Sequence, residues 1–368
     1  MLTKADIRAE AERLFQRFRE AGAVPVEADI LQPADTLLDL YGEDIRARAY
    51  VTRDPLQGER MLRPDFTLPV VQMHMQAQAE PARYCYLGEV FRKQEQGAAR
   101  ASEYLQVGYE VFDGAAPAEA DAEVFALFTE LLAPLGLRAA TGDLGIILEA
   151  VRGLATTERR KAALLRHVWR PRRFRALLER FGGRAPVPES RVKLLQDLAR
   201  DGVAKVAGRG GPAIGLRSRA EIAARLAALA EDAETPAIPE TQVAIVEDIL
   251  ALREKSPAAL ARLRDVAVDL PSLGPAVDRF EARLEALSRR GIAAESLDFE
   301  ASYGRTTLEY YDGFVFGLYA EARPDLPPVA TGGRYDALTA VLGQGRAVPA
   351  VGGVIRPGLV AALREARP

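Results

Sequence analysis

The amino-acid sequence predicts an α+β fold in which an antiparallel sheet is flanked by helices and interrupted by a helical insertion. Three observations carry this. The two ends of the stretch Tyr86 to Phe112 alternate with period two around a polar middle, as in two antiparallel strands joined by a long loop. From about Gly145 to Gly291 the composition turns to Ala, Leu, Arg and Glu with helical spacing nearly throughout. Strand character then returns at Leu297 to Tyr303 and at Phe314 to Tyr319. The chain therefore divides into a core split between residues 1–144 and 292–368, and a mostly helical inserted region at 145–291.

Composition bounds the function. With 368 residues, 48% of them hydrophobic, the chain can bury a substantial core. A net charge of −3 gives no bulk attraction to nucleic acid. No run of about 18 apolar residues exists, and the charged amphipathic start MLTKADIRAEAERLF is unlike a signal peptide, so a cytoplasmic location is expected. The single cysteine, Cys85, excludes an intrachain disulfide and reads as a small core residue. His74 and His167 lie far apart without neighbouring ligand patterns, so no metal site is expected, and no cofactor motif is present.

In chain order, Thr3 and Asp6 form a capping box ahead of the apolar stripe Ile7, Ala11, Leu14, Phe15 and Phe18, which Gly22 stops. In GEDIRARAYVTRD, Ile45, Ala47, Ala49 and Val51 alternate with charges as in a half-buried strand. In MLRPDFTLPVV, Arg63, Asp65 and Thr67 recur at spacing two, so an extended segment would point all three one way; an Arg63–Asp65 pair capping the next helix is the alternative. On the return strand Leu105, Val107, Tyr109 and Val111 share one face, and Gln106, Gly108 and Glu110 the other. A carboxylate and an amide flanking a glycine in mid-strand suggest a small polar ligand close to the backbone, presenting a cation to Glu110; a solvated hairpin is the alternative.

Further on, Val124, Leu127, Phe128 and Leu131 mark an amphipathic helix, as do Val277, Phe280, Leu284 and Leu287 before Gly291. Breaks fall near Gly182, Gly208 and Pro236. The glycine run Gly208 to Gly215 lacks a GK[ST] and reads as a loop. Arg166, His167, Arg170, Arg172, Arg173 and Arg175 are either a solvated helix face or a surface for an acidic partner such as RNA.

Four segments together resemble the class II aminoacyl-tRNA synthetases in their histidyl version. Phe91, Arg92, Arg100, Gln106, Gly108 and Glu110 fall in register with that family's motif 2. Asp65 and Thr67 match its "LRPEGT", Tyr310 and Tyr311 its paired tyrosines with Glu309 at its aspartate, and TGGRYDA, with Tyr335, its "GGRYDGL". The resemblance implies a six-stranded antiparallel sheet, a dimer built on a motif 1 where Asp29 replaces a proline, and a histidine site of Asp65, Thr67, Gln106, Glu110, Tyr310, Tyr311 and Tyr335. Arg92 and Arg100 would be remnants of the nucleotide site.

The departures gather on the ATP side. Gln94 stands for a glutamate, Thr306 and Leu359 for two arginines, and Ser102 for a basic loop residue; Arg305 and Arg356 sit one and three positions away from those arginines. Nine residues follow Leu359, so no anticodon-binding domain is expected. Cations at a phosphoryl centre contribute on the order of 10³-fold, so the pattern implies a ligand pocket without adenylation or any catalytic residue. It is similar to the regulatory subunits of ATP phosphoribosyltransferase, which join a short-form catalytic subunit at the first step of histidine biosynthesis. That resemblance implies histidine as effector and a homodimer within a hetero-oligomer. The alternatives are a truncated ligase adenylating a small carboxylic or amino acid, and an RNA-binding paralogue.

Overall fold

A computed structural model describes residues 2–35, 48–77, 79–94, 101–209, 217–305 and 310–366. Two compact units emerge, one of residues 1–149 with 249–368, the other of 150–248, inserted in the sequence between the two halves of the first. No helix among the described residues is long and apolar enough to cross a membrane.

The first unit opens with helix α1 (Lys4–Glu20), started by the Thr3–Asp6 capping box and ended before Gly22, whose φ of +91° suits glycine. Ala11, Leu14 and Phe18 are fully buried. Strand β1 (Val24–Pro25) follows, then β2 (Leu31–Pro33), β3 (Val51–Asp54) and β4 (Gly58–Leu62). The last three form a separate sheet in the order β2-β4-β3. The strand expected around Ala49 and Val51 is thus shorter and belongs to this small sheet, with Ala49 buried and Val51 partly exposed; Ile45 and Ala47 lie outside the described residues.

Helix α2 (Thr67–Ala77) leads to the long hairpin β5 (Ala82–Phe91) and β6 (Glu103–Phe112). Helix α3 (Pro117–Leu132) and strand β7 (Arg138–Asp143) complete the first half. Helix α4 (Leu144–Arg152) runs across the boundary into the second unit. That unit holds α5 (Glu158–Arg166), α6 (Pro171–Phe181), α7 (Glu189–Gly208) and α8 (Arg219–Glu234), and α9 (Glu240–Ala251) runs back out of it. The breaks expected near Gly182 and Pro236 separate α6 from α7 and α8 from α9. A further break, at Gly202 (φ +75°) within α7, is not legible in the sequence because a lone glycine in a helical pattern is ambiguous. Of the Gly208–Gly215 run, residues 210–216 lie outside the described residues.

The return to the first unit brings β8 (Arg253–Lys255), α10 (Ser256–Asp269), α11 (Gly274–Arg289), β9 (Asp298–Glu300), β10 (Phe314–Tyr319), β11 (Ala330–Arg334), α12 (Asp336–Leu342), β12 (Ala350–Ile355) and α13 (Pro357–Glu365). The helical stretch 145–291 is therefore shared between the two units, since α10 and α11 belong to the first. Proline at the first turn of α13 fits the helix start, where its missing N–H leaves nothing unsatisfied.

The main sheet has the order β1-β5-β6-β12-β11-β10-β7-β9-β8. From β5 to β7 all five pairings are antiparallel, which is the expected six-stranded sheet. Short parallel additions at both edges, β1 on β5 and β9 on β7, make the whole sheet mixed. One face carries the core: Val107, Tyr109 and Val111 pack with Phe18, Phe125, Phe128, Phe316 and Val351, beneath α1, α3 and α13. Cys85 lies in this core, its thiol pushed up to about 11 by burial.

At one end of the sheet the core is charged. Arg283 of α11 donates to Asp143 Oδ2 at 2.7 Å and to Asp121 Oδ2 at 3.4 Å, and Arg334 donates to Asp121 Oδ1 at 2.7 Å. All four side chains are nine-tenths buried or more. Removing one member strands the others in low dielectric. Arg283→Ala should therefore lower the unfolding free energy by about 3–5 kcal/mol in urea titrations, far more than truncation of a surface arginine.

Candidate functional site

The second face of the sheet carries a pocket. Pairing places Tyr84, Glu110, Gly352, Gly333 and Val315 in one row across β5, β6, β12, β11 and β10, and Tyr86, Gly108, Val354, Thr331 and Gly317 in the next. The pocket is lined by Asp65, Thr67, Arg92, Gln106, Glu110, Tyr310, Tyr311 and Tyr335, with Tyr303, Thr331, Gly352, Val354 and Arg356 completing the wall. Every expected site residue that is described meets in this one cavity; Arg100 lies outside the described residues, as do Thr306 and Glu309.

Glu110 sits at its base, 1% exposed. Tyr86 donates its hydroxyl to Glu110 Oε1 at 2.8 Å, Thr67 donates to the same oxygen at 3.2 Å, and Tyr335 donates to Oε2 at 2.6 Å. All three donors are neutral hydroxyls. Burial pushes the carboxyl up to about 7; the hydroxyls of Tyr335, Tyr86 and Thr67 pull the other way, and the Asp65 carboxylate adds to the rise. The solvated-hairpin alternative does not hold, because Gln106 and Glu110 are both buried.

Glycines make the packing possible. A Cβ on Gly108 would collide with the Tyr86 ring, and one on Gly352 with the Glu110 carboxylate. Gly108 thus makes room for Tyr86, which corrects the expectation that a ligand approaches the backbone there. Tyr86 is a site residue that the motifs do not single out. An aromatic residue directly across from a mid-strand glycine is the signal that finds it, because the ring covers the bare backbone.

Asp65 and Thr67 come from the turn after β4 and the first residue of α2. Asp65 is 4% exposed, with Arg92 Nη2 4.0 Å from its Oδ2. Arg92 also donates Nε to Pro64 O at 2.7 Å, which holds the hairpin to this turn. The expectation that Arg63 points the same way is corrected. The chain turns through Pro64–Phe66 instead of running extended, and Arg63 stacks 4.0 Å over Phe66 and donates Nε to Glu89 O at 2.8 Å and Nη1 to Ala28 O. The alternative of an Arg63–Asp65 helix cap is not what forms.

The tyrosines close the cavity. Tyr310 donates to Thr67 Oγ1 at 3.4 Å, and its ring meets Tyr311 and Tyr335 edge-on at 4.8 and 6.1 Å. Gln106 is 1% exposed, and neither Oε1 nor Nε2 has a hydrogen-bond partner among the described residues. An amide buried this way costs free energy unless a guest satisfies it. Gln94 turns its amide back to Arg92 O and Ala101 O, at 3.2 and 3.3 Å. Leu359, at the motif 3 position, packs against the apolar core.

The pocket carries a pH signature. Folded Glu110 keeps its proton up to about 7, whereas an unperturbed glutamate releases it near 4.5, so the folded state binds more protons in between and loses stability as pH rises through that window. Urea unfolding at the two ends of the window should show a smaller decline for Glu110→Gln than for the wild type. An equal decline in both would show that Glu110 ionises normally.

Comparison with known proteins fits this geometry. A model of the histidyl-tRNA synthetase family matches residues 3–235 and 219–357. An ATP phosphoribosyltransferase regulatory subunit of Mesorhizobium japonicum is 33% identical over 388 residues, covering 98% of this chain and 98% of its own. One from Brucella canis is 34% identical over 342 residues, or 89% of each chain. Among solved structures, an ATP phosphoribosyltransferase regulatory subunit/histidyl-tRNA synthetase from Bacillus halodurans is similar with a TM-score of 0.68, at 20% identity, over 98% of this chain and 79% of that one. A histidine–tRNA ligase subunit from Alicyclobacillus acidocaldarius gives 0.58 at 24% identity over 98% and 93%. The two structures bear on the fold alone. The chain belongs to the histidyl-tRNA synthetase family and, within it, to the ATP phosphoribosyltransferase regulatory subunits.

Proposed function

We propose that this chain senses histidine and sets the rate of a separate, short-form ATP phosphoribosyltransferase catalytic subunit, itself performing no chemistry. The observation that carries the reading is the division within one pocket. On the amino-acid side stand two buried carboxylates, Asp65 and Glu110, and the amide of Gln106, which has no partner among the described residues. Two carboxylates sharing a dry site repel each other, and a bound ammonium relieves that repulsion. Histidine fits with its ammonium near Asp65, Gln106 and Glu110 and its imidazole beside Tyr311 and Tyr335. Arg92, on the same wall, is the remnant of the nucleotide side; at two other positions where the family motifs carry nucleotide-side residues, Gln94 bonds back to the Arg92 carbonyl and Leu359 packs against the apolar core.

A pocket of this kind reports a metabolite's concentration without consuming it. Its output requires a partner, which the relatives' name supplies: the catalytic ATP phosphoribosyltransferase chain. If histidine and the active form of that chain favour different conformations of the sensor, a coupling of about 1–3 kcal/mol gives strong feedback. The working assembly is a homodimer of this chain within a hetero-oligomer.

Mixing the chain with a short-form catalytic subunit from the same genome should produce a larger complex by light scattering, faster phosphoribosyl transfer, and inhibition by histidine. A catalytic subunit equally active and equally histidine-sensitive alone, with no complex at micromolar concentration, would overturn the assignment. The isolated chain should also leave histidine-dependent exchange of pyrophosphate into ATP at the no-enzyme level. Exchange well above that level would establish a ligase.

A further inference from the structure

We infer that Arg356 holds the carboxylate of the bound amino acid and so makes the pocket selective for α-amino acids over the corresponding amines. This rests on the reading of the cavity as a histidine site and adds to it a cation for the ligand's anionic end.

The argument begins with register. On β12 and β6 the pairing runs to Ile355 opposite Val107, and the same register carried one residue past the end of β12 sets Arg356 opposite Gln106. Arg356 remains extended, with φ −100° and ψ 96°, and its N–H donates to Val329 O at 2.9 Å, so the ladder toward β11 continues through it. Residues directly opposite on one face have Cβ atoms about 5 Å apart. Arg356 and Gln106 both line the cavity.

Gln106 offers one buried donor and one buried acceptor, neither of them satisfied within the protein's described residues. A guest that meets both must carry an acceptor and a donor side by side. An α-amino acid head group does so: its ammonium donates to Oε1 and its carboxylate accepts from Nε2. The carboxylate then lies on the Arg356 side of the amide, where a guanidinium provides a charge-assisted contact. Arg356 is held in place by donating Nη1 to Pro328 O, and it caps the start of α13, where the helix dipole adds positive potential.

The wall is polarised accordingly. Glu110 lies over Gly352, and Arg356, the extended residue just past β12, follows four residues along the same face, about 13 Å of extended chain. The side chain and ammonium of the guest meet the acidic end, and its carboxylate the basic end.

Calorimetric titration with histidine and with histamine, which lacks only the carboxylate, tests this directly. Charge-assisted bonds contribute ~1.5–3 kcal/mol, so the wild type should prefer histidine by roughly tenfold or more. Arg356→Gln should lose that preference while binding histamine as the wild type does, which also shows that the pocket is intact. Arg356→Lys should recover part of it. A preference that persists in Arg356→Gln, or none in the wild type, overturns the role of Arg356 and leaves the histidine reading standing. Failure of the wild type to bind either molecule overturns the histidine reading and this inference with it.

Discussion

The site depends on one constraint: a carboxylate, Glu110, buried in the middle of a sheet face and held there by hydroxyls. An isolated charge in such a place is costly, and three neutral donors offset only part of that cost, which is why its affinity for a proton rises. The residues around it are arranged to keep it there. Gly108 and Gly352 leave room for the Tyr86 ring and for the carboxylate itself, and Tyr335 and Thr67 are brought in by β11 and by α2. Neutral donors position the carboxylate without cancelling its charge, and that residual field favours a cationic guest.

Burial of the opposite face makes this tolerable. The aromatic core beneath α1, α3 and α13 fixes the six antiparallel strands, so the floor of the pocket, with Gln106 and Glu110, is carried by rigid elements, while Asp65, Tyr310 and Tyr311 are set over it from the connecting segments. Buried charge pairs at the sheet's end, around Arg283 and Arg334, tie α11 to β7 and α3 to β11, the strand that Tyr335 directly follows. Tyr335 stands between Arg334 and Asp336, and Tyr311 precedes Asp312, so neighbouring residues face the pocket and the buried charges.

Much of this is legible in the sequence because period-two alternation by itself assigns residues to the two faces of a strand. It sets Gln106 and Glu110 opposite Val107 and Tyr109, and the family motifs add Asp65, Thr67 and the three tyrosines. Partners set by long-range register are not legible in this way. Arg356 beside Gln106 follows from strand pairing between distant segments, and the turn that sends Arg63 to the Glu89 carbonyl follows from tertiary packing. The same limit hides the second sheet, since β2, β3 and β4 carry too little alternation to announce their pairing.

The central claim is that the buried carboxylate of Glu110 receives the ammonium group of an amino acid. The most direct measurement is calorimetric titration of histidine into the isolated chain and into Glu110→Ala. The account predicts saturable binding to the wild type that weakens by roughly tenfold or more on removal of the carboxylate. Equal affinity in the two proteins would place the ligand elsewhere and contradict it.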